Sequence, residues 1–364
     1  MASIRERTRA DGTTSWAVLW RDADTGKQTS RTMLTRSDAQ QLVDFLNANG
    51  QSFALAAQAA AKLRSTAPRV ADVVTAHVDQ LTSVTTGTRH RYRLQAERHI
   101  TSRGIGTIPV DQLTRADVTT WLNSLELATK SKKNIHSLLS AALTGAVRDG
   151  LIPGNPAYGI RFPRSTPARE PVFLTDTEVE AIINAAPEEY RVFIRFLVDT
   201  GLRWSEATAL RPVDLDITTD HGTVSVTRAW KEIGGAGWRI GQPKTPRARR
   251  TVVLPKTTTQ ALAEHVKGRP REGLLFSGRD GGRIWNTDFH KLVWRPAVET
   301  ASHSLRQRPV IHDLRHTHAS RLIAAGVPLT VIQRRLGHES IKTTSDTYGH
   351  LAADADVAAA AALD

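Results

Sequence analysis

The run His312-Asp-Leu-Arg-His-Thr-His-Ala-Ser320 crowds three imidazoles and one guanidinium into nine residues. On a helix, His312 and Arg315 share a face while Leu314 and Leu322 turn toward the core, so a cation and an imidazole converge. The helix is expected to end near Gly326, and Pro328 opens the next, which closes at Leu336 with Gly337 as a left-handed cap. His338 then emerges at a helix end. Ten residues later comes Tyr348, in Thr343-Thr-Ser-Asp-Thr-Tyr-Gly-His350, close enough along the chain to share the site and a candidate nucleophile. Upstream, Thr200-Gly-Leu-Arg-Trp-Ser-Glu-Ala207 breaks a helix at Gly201 and delivers Arg203 beside Glu206. Taken alone, that pair reads as a surface ion pair of little energetic weight.

Composition sets the context. The chain has 364 residues, enough for two or three domains. It contains no cysteine, which excludes disulfides, thiolate zinc sites and a cysteine nucleophile, and fits a reducing cytoplasm. Forty-nine Lys and Arg against 36 Asp and Glu leave a net charge of +13, which favours a polyanionic partner, nucleic acid first. There is no apolar run of spanning length and no signal-peptide core behind Met1-Ala-Ser-Ile-Arg-Glu-Arg, so the chain is expected to be soluble, unprocessed and without a membrane partner.

Working outward, residues 1–50 alternate polar and apolar runs, Ser15-Trp-Ala-Val-Leu-Trp-Arg21 and Lys27-Gln-Thr-Ser-Arg-Thr-Met33, around the turn Asp22-Ala-Asp-Thr-Gly26. Thr35 and Asp38 make a capping box for a helix through Leu42, Phe45 and Leu46. A three-strand, one-helix domain over 1–60 is expected, and from its own residues it is an accessory structural domain. The alanine-rich stretch Ala54 to Ala67 leads into a helical region, 68–160. There Val70, Val73, Val74, His77 and Val78 share one face, as do Ile135, Leu138, Leu139, Ala142, Leu143 and Val147. Thr129-Lys-Ser-Lys-Lys-Asn134 opens the second of these helices. Lys130, Lys132 and Lys133 at a helix N-terminus can meet phosphates, or form a solvated cap. Arg161 to Pro171 holds three prolines and three arginines and no periodicity, as an extended basic linker does. Beyond it, over 172–364, helices at 177–186 and 190–200 precede the strand pair Thr223–Arg228 and Arg250–Leu254 before the chain returns to helices. The fold class is α+β, with a mainly α C-terminal domain carrying a small antiparallel sheet.

Thr-Gly-Leu-Arg-x-x-Glu, His-x-Leu-Arg-His-Thr, Leu-Gly-His and a following tyrosine occur in this order, and with them the chain resembles the tyrosine recombinase (phage integrase) family over roughly residues 171–350. The resemblance implies that 172–364 is the catalytic domain, 68–160 the core-site DNA-binding domain and 1–60 the arm-site DNA-binding domain. It matches Arg203 and Arg315 to the paired phosphate-clamping arginines, His312 and His338 to the two histidines, and Tyr348 to the nucleophile. Lys244, in Gln242-Pro-Lys-Thr-Pro-Arg-Ala-Arg-Arg-Thr251, resembles the hairpin lysine, although Ala248 stands where many relatives have serine and Lys231 and Lys256 are competing lysines. By the same resemblance the partners are double-stranded DNA attachment sites, with accessory DNA-bending or directionality factors, in a bacterial cytoplasm.

These residue types suit the chemistry. A phosphodiester resists attack because it is anionic, and two guanidinium forks can balance the charge that gathers on its nonbridging oxygens without metal or other cofactor. A phenol near pKa ~10 needs its proton removed as it attacks, by or through His312, while Lys244 protonates the departing 5′ oxygen and His338 hydrogen-bonds the phosphate. The product is a covalent 3′-phosphotyrosine, whose ester retains the bond energy for resealing without ATP. One tyrosine cuts one strand, so exchange between two duplexes implies a homotetramer. The alanine-rich segment 352–363 has high helix propensity; the resemblance suggests docking on a neighbouring subunit, its composition alone a frayed tail.

Three other readings compete. His312 and His316 have the i, i+4 spacing of zinc helices, but Asp313 replaces the glutamate that a metallohydrolase needs. A catalytically silent DNA-binding protein would keep the same charge and layout. Type IB topoisomerase-like relaxation would use the same chemistry without exchange.

Overall fold

The computed structural model describes residues 1–8, 13–163, 169–243 and 245–352. Lys244 and the alanine-rich C-terminal segment from 353 onward lie outside these. The chain divides into two compact units, residues 1–166 and 167–364.

The first unit holds two separate apolar clusters. Strands β1 (Ser3–Thr8), β2 (Thr14–Arg21) and β3 (Gln28–Met33) form an antiparallel meander in that order. Val18 and Trp20 of β2 face α1 (Arg36–Ala48), which buries Ala39, Val43 and Leu46. The Thr35 hydroxyl accepts from the Asp38 amide at 3.1 Å and caps this helix, satisfying one of its unpaired amides. Where one helix was expected there are two. The alanine-rich segment winds into α2 (Phe53–Arg64), because Phe53 stacks on Trp20 with ring centroids 5.6 Å apart and anchors a sequence of high helix propensity.

The second cluster is all helical, built from α3 (Val70–Gln80), α4 (Thr86–Ala96), α5 (Arg115–Ser124) and α6 (Thr129–Arg148). Val70, Val74 and Val78 pack with Ile135, Leu139 and Leu143, the two stripes that their spacing marks. Lys130, Lys132 and Lys133 lie on the first turns of α6, Lys130 exposed and the other two half-buried.

The second unit opens with α7 (Asp176–Ala185), held at its start by a Thr175–Glu178 capping box, then α8 (Glu188–Thr200) and the short α9 (Trp204–Ala207). A small antiparallel sheet follows, β4 (Leu215–Asp216), β5 (Thr223–Val226) and β8 (Arg250–Val253) in the order β4-β5-β8. Between β5 and β8 the chain makes a separate hairpin, β6 (Ala229–Glu232) and β7 (Trp238–Gly241). Arg283 pins this hairpin, its guanidinium 4.9, 4.1 and 4.5 Å from the rings of Trp230, Trp238 and Trp285. The Trp230 indole N–H also donates to the Thr208 carbonyl at 2.9 Å, which ties the hairpin to the end of α9.

Helix α10 (Lys256–His265) and the pair α11 (Asn286–Phe289) and α12 (Arg295–Thr300), joined by a wide turn over His290–Trp294, complete the main core. Three helices follow, α13 (Asp313–Ala324), α14 (Leu329–Leu336) and α15 (Ile341–Tyr348), before a tight turn over Gly349–Ala352 ends the described chain. A small satellite core of Ala319, Ile332, Leu336 and Tyr348 binds these three together. No described helix is long and apolar enough to cross a membrane.

Candidate active site

The site begins with two helix ends. Helix α8 stops at Gly201, with φ +62°, and α14 stops at Gly337, with φ +66°. Both positions require glycine twice over, for the left-handed backbone and for space. A Cβ on Gly201 would stand 2.6 Å from the His318 ring, and one on Gly337 2.8 Å from the Arg250 guanidinium. The carbonyls released at these ends point at the arginines. Arg315, only 3% exposed on α13, donates to the carbonyls of Gly201 and Leu336, at 2.5 and 2.8 Å. Arg203 donates to the next carbonyl, that of Gly337, at 3.1 Å. Two guanidinium groups 112 residues apart (Arg203 and Arg315) are thus bonded to consecutive carbonyls of one turn, at the negative end of a helix dipole.

A buried carboxylate completes the frame. Glu206 receives the Arg203 side chain and backbone amide at 2.9 and 3.0 Å and the Arg250 side chain at 2.9 Å. The surface pair expected from Thr-Gly-Leu-Arg-x-x-Glu is therefore two members of a three-member cluster whose carboxylate is 2% exposed. Burial works to raise the Glu206 pKa, but Arg250 and Arg203 outweigh it and hold the carboxyl below its ordinary value. Arg250 also donates to the carbonyls of Arg335 and Ala248, at 2.6 and 2.9 Å, which fixes β8 against α14. Burial and then Arg203 lower the Arg315 pKa to about 9, so the group stays charged at neutral pH.

His338, one residue beyond the left-handed cap, is held by a 2.9 Å bond between its Nδ1 and the Thr344 hydroxyl on α15. Burial, Arg315, Arg203 and Arg250 together lower its pKa to about 4. His312 is the residue before the first turn of α13 and is exposed. Desolvation, then His316 and Arg315, lower its pKa as well. His318 is buried and used structurally. Its Nδ1 faces the Val198 carbonyl and its Nε2 accepts from Arg335, each at 2.9 Å, the bonds of a neutral ring.

Tyr348 is 1% exposed, its ring packed in the satellite core and its hydroxyl directed at α13. Burial raises its pKa and the nearby Arg315 lowers it, with burial the larger effect. The hydroxyl's partner is His316, whose Nδ1 lies 2.9 Å away, and not His312. Helical geometry explains the difference, since four residues along α13 carry the side chain a full turn toward α15. Arg203, Arg315, His312, His338 and Tyr348 all belong to this one constellation. The sequence reading missed Arg250 and the phenol's contact with His316.

Lys244 lies outside the described residues. Of its competitors, Lys231 is on β6 and Lys256 is paired with Asp220 at 2.8 Å. The crowded histidines do not form a metal set: His316 meets the phenol, His318 meets Val198 and Arg335, and Asp313 is paired with Arg169 at 2.7 Å. Among the described residues no three His, Asp or Glu groups converge as metal ligands. Beside His338 opens a cleft of about 730 Å³ lined by Arg247, Arg249, Arg250, Arg334 and Arg335, a surface shaped for a polyanion.

Residues 172–354 match the profile of the Phage integrase family. The chain belongs to that family. It is a site-specific tyrosine recombinase of the phage and mobile-element type, an enzyme that breaks and rejoins DNA strands. It is 29% identical to the "Putative prophage phiRv2 integrase" of Mycobacterium tuberculosis, over 76% of this chain and 73% of that one. It is 28% identical to the integrase of Mycobacterium phage D29, over 69% and 67%. Among solved structures, the Tn1549 transposon integrase in complex with a circular intermediate DNA covers 82% of the recombinase and is covered entirely, with a TM-score of 0.70 at 22% identity. A lambda integrase tetramer bound to a Holliday junction covers 94% of each chain, with a TM-score of 0.62 at 19% identity. These likenesses bear out the α+β fold.

Replacing Glu206 by Gln removes the charge that Arg203 and Arg250 share. The expected cost is roughly 3 kcal/mol, the lower end for breaking a buried ion pair. Urea denaturation measures it; an unchanged midpoint would show that the two arginines do not depend on this carboxylate.

Proposed function

We propose that this recombinase integrates and excises phage or mobile-element DNA through a covalent 3′-phosphotyrosine intermediate formed by Tyr348. The carrying observation is that Arg315 and Arg203 bond to the consecutive carbonyls of Leu336 and Gly337, while the Tyr348 phenol lies within electrostatic reach of Arg315. A phosphodiester entering there meets two cationic forks on its nonbridging oxygens as the phenol oxygen approaches phosphorus. The P–O5′ bond breaks, and Lys244 supplies the proton that the leaving oxygen takes. His338 and the exposed His312 hydrogen-bond the phosphate, and the phenol's proton passes to the imidazoles of α13. Attack by a second 5′ hydroxyl on the phosphotyrosine reverses these steps and joins new strands.

The substrate in this reading is duplex DNA carrying attachment sites, bound in a bacterial cytoplasm by a homotetramer, with accessory bending or directionality factors setting the outcome. Residues 1–60 would serve as the arm-site module, 68–160 as the core-site module, 161–171 as a linker and 172–364 as the catalytic domain. The basic cleft beside His338 supports the path of the DNA, and Lys130, Lys132 and Lys133 would contact phosphates from the start of α6.

Incubation with a pool of nicked duplexes randomised across the core, followed by denaturation, tests the proposal and recovers the site by sequencing the trapped strands. A covalent protein–DNA complex is expected that persists in excess chelator and is absent with Tyr348→Phe. A complex that survives Tyr348→Phe would remove this residue as nucleophile, and one abolished by chelator would point to metal-dependent chemistry. For the lysines, Lys132→Ala is expected to flatten the slope of log affinity against log salt by about 0.9, the change for one lost phosphate contact on duplex DNA. An unchanged slope would take Lys132 off the DNA.

A further inference from the structure

We infer that His316, and not His312, is the group that directly exchanges the proton with Tyr348, an inference that rests on Tyr348 being the nucleophile. The His316 Nδ1 lies 2.9 Å from the phenol oxygen, a hydrogen bond with the reacting atom itself. His312 stands one turn back, its ring perpendicular to that of His316 with centroids 4.9 Å apart, while the phenol's hydrogen bond is made to His316.

Packing holds the contact from both sides. The Tyr348 ring is 1% exposed among Ala319, Ile332 and Leu336, which leaves its hydroxyl little choice of direction. The His316 ring is fixed in turn by an edge contact with Phe173, centroids 6.5 Å apart. The charged and titratable groups facing His316 are Asp313, Arg315, Arg169, His312 and Tyr348. Burial, with Arg315 and Arg169, lowers the His316 pKa against the opposing pull of Asp313, so its ring is neutral at pH 7, and the tautomer protonated at Nε2 offers the phenol the lone pair of Nδ1.

The step balances. As the phenol oxygen bonds to phosphorus, its proton moves to Nδ1 and makes an imidazolium whose charge the Asp313 carboxylate favours. The P–O5′ bond breaks, and the 5′ oxygen takes its proton from Lys244. During rejoining the attacking 5′ hydroxyl returns its proton to Lys244 and the imidazolium returns its own to the departing phenol, so one group serves both directions. A bond of the same length that only parks the tyrosine before DNA arrives would have the opposite consequence, since its removal would free the nucleophile.

Single-turnover cleavage of the recovered nicked site by the full-length chain separates these cases, with DNA binding and thermal unfolding measured in parallel. His316→Ala is expected to slow cleavage by roughly 10²- to 10³-fold, the range for loss of an acid–base partner, with binding unchanged. His316→Asn, which keeps a polar group of similar reach but no basic nitrogen, is expected to show the same loss and serves if the alanine variant fails to fold. Incorporating 3,5-difluorotyrosine at position 348 supplies a more acidic phenol and is expected to close most of the gap for either variant, but not the defect of His312→Ala. Cleavage by both His316 variants at the normal rate or faster would overturn the inference, as would rescue confined to His312→Ala. If Tyr348→Phe still forms the covalent complex, the nucleophile assignment itself fails; if it forms none while His316 variants cleave normally, only the present inference does.

Discussion

A guanidinium that is almost dry has to be paired, and the frame of the C-terminal unit follows from how Arg315 meets that demand. Leaving such a charge without partners costs several kcal/mol even after relaxation. Helices α8 and α14 answer by ending at the same place, where the Gly201 and Leu336 carbonyls receive it. Left-handed glycines terminate both helices, and neither position has room for a side chain. The same turn offers its next carbonyl to Arg203, so the geometry that makes one charge tolerable also brings the second alongside.

The cluster carries more positive than negative charge. Arg203 and Arg250 share the carboxylate of Glu206, Arg315 is met by the carbonyls of Gly201 and Leu336, and the histidines around them are held neutral by burial and by these cations. A phosphate entering the site relieves that imbalance, which makes the cluster a preorganised electrostatic partner for the anion and for the further charge of its transition state. The same arrangement keeps an imidazole lone pair available to the phenol, which burial otherwise holds in its protonated form.

Much of this is legible in the chain where local signals do the work. Gly201 and Gly337 mark helix ends through their backbone freedom, the run from His312 to Ser320 has helical spacing, and the apolar stripes on α3 and α6 pack as their periodicity requires. What escapes is set by tertiary packing. That Arg250 shares the carboxylate of Glu206 depends on β8 lying against the end of α14, a contact that no spacing encodes. His312 and His316 are equally plausible partners for a phenol until α15 packs, and its register selects His316. The second helix of the N-terminal domain was hidden because its alanines advertise helix without saying what it packs on; Phe53 against Trp20 decides that.

The central claim is that Arg203 and Arg315 act on the charge of one backbone phosphate. Replacing the scissile phosphate by a neutral methylphosphonate tests it most directly, by comparing cleavage of the two linkages by Arg203→Ala and Arg315→Ala. The account predicts that the neutral linkage restores strand cleavage to these variants, because the charge that the missing guanidinium had to balance is gone. Variants that remain as inactive on the neutral linkage as on the natural one would contradict it.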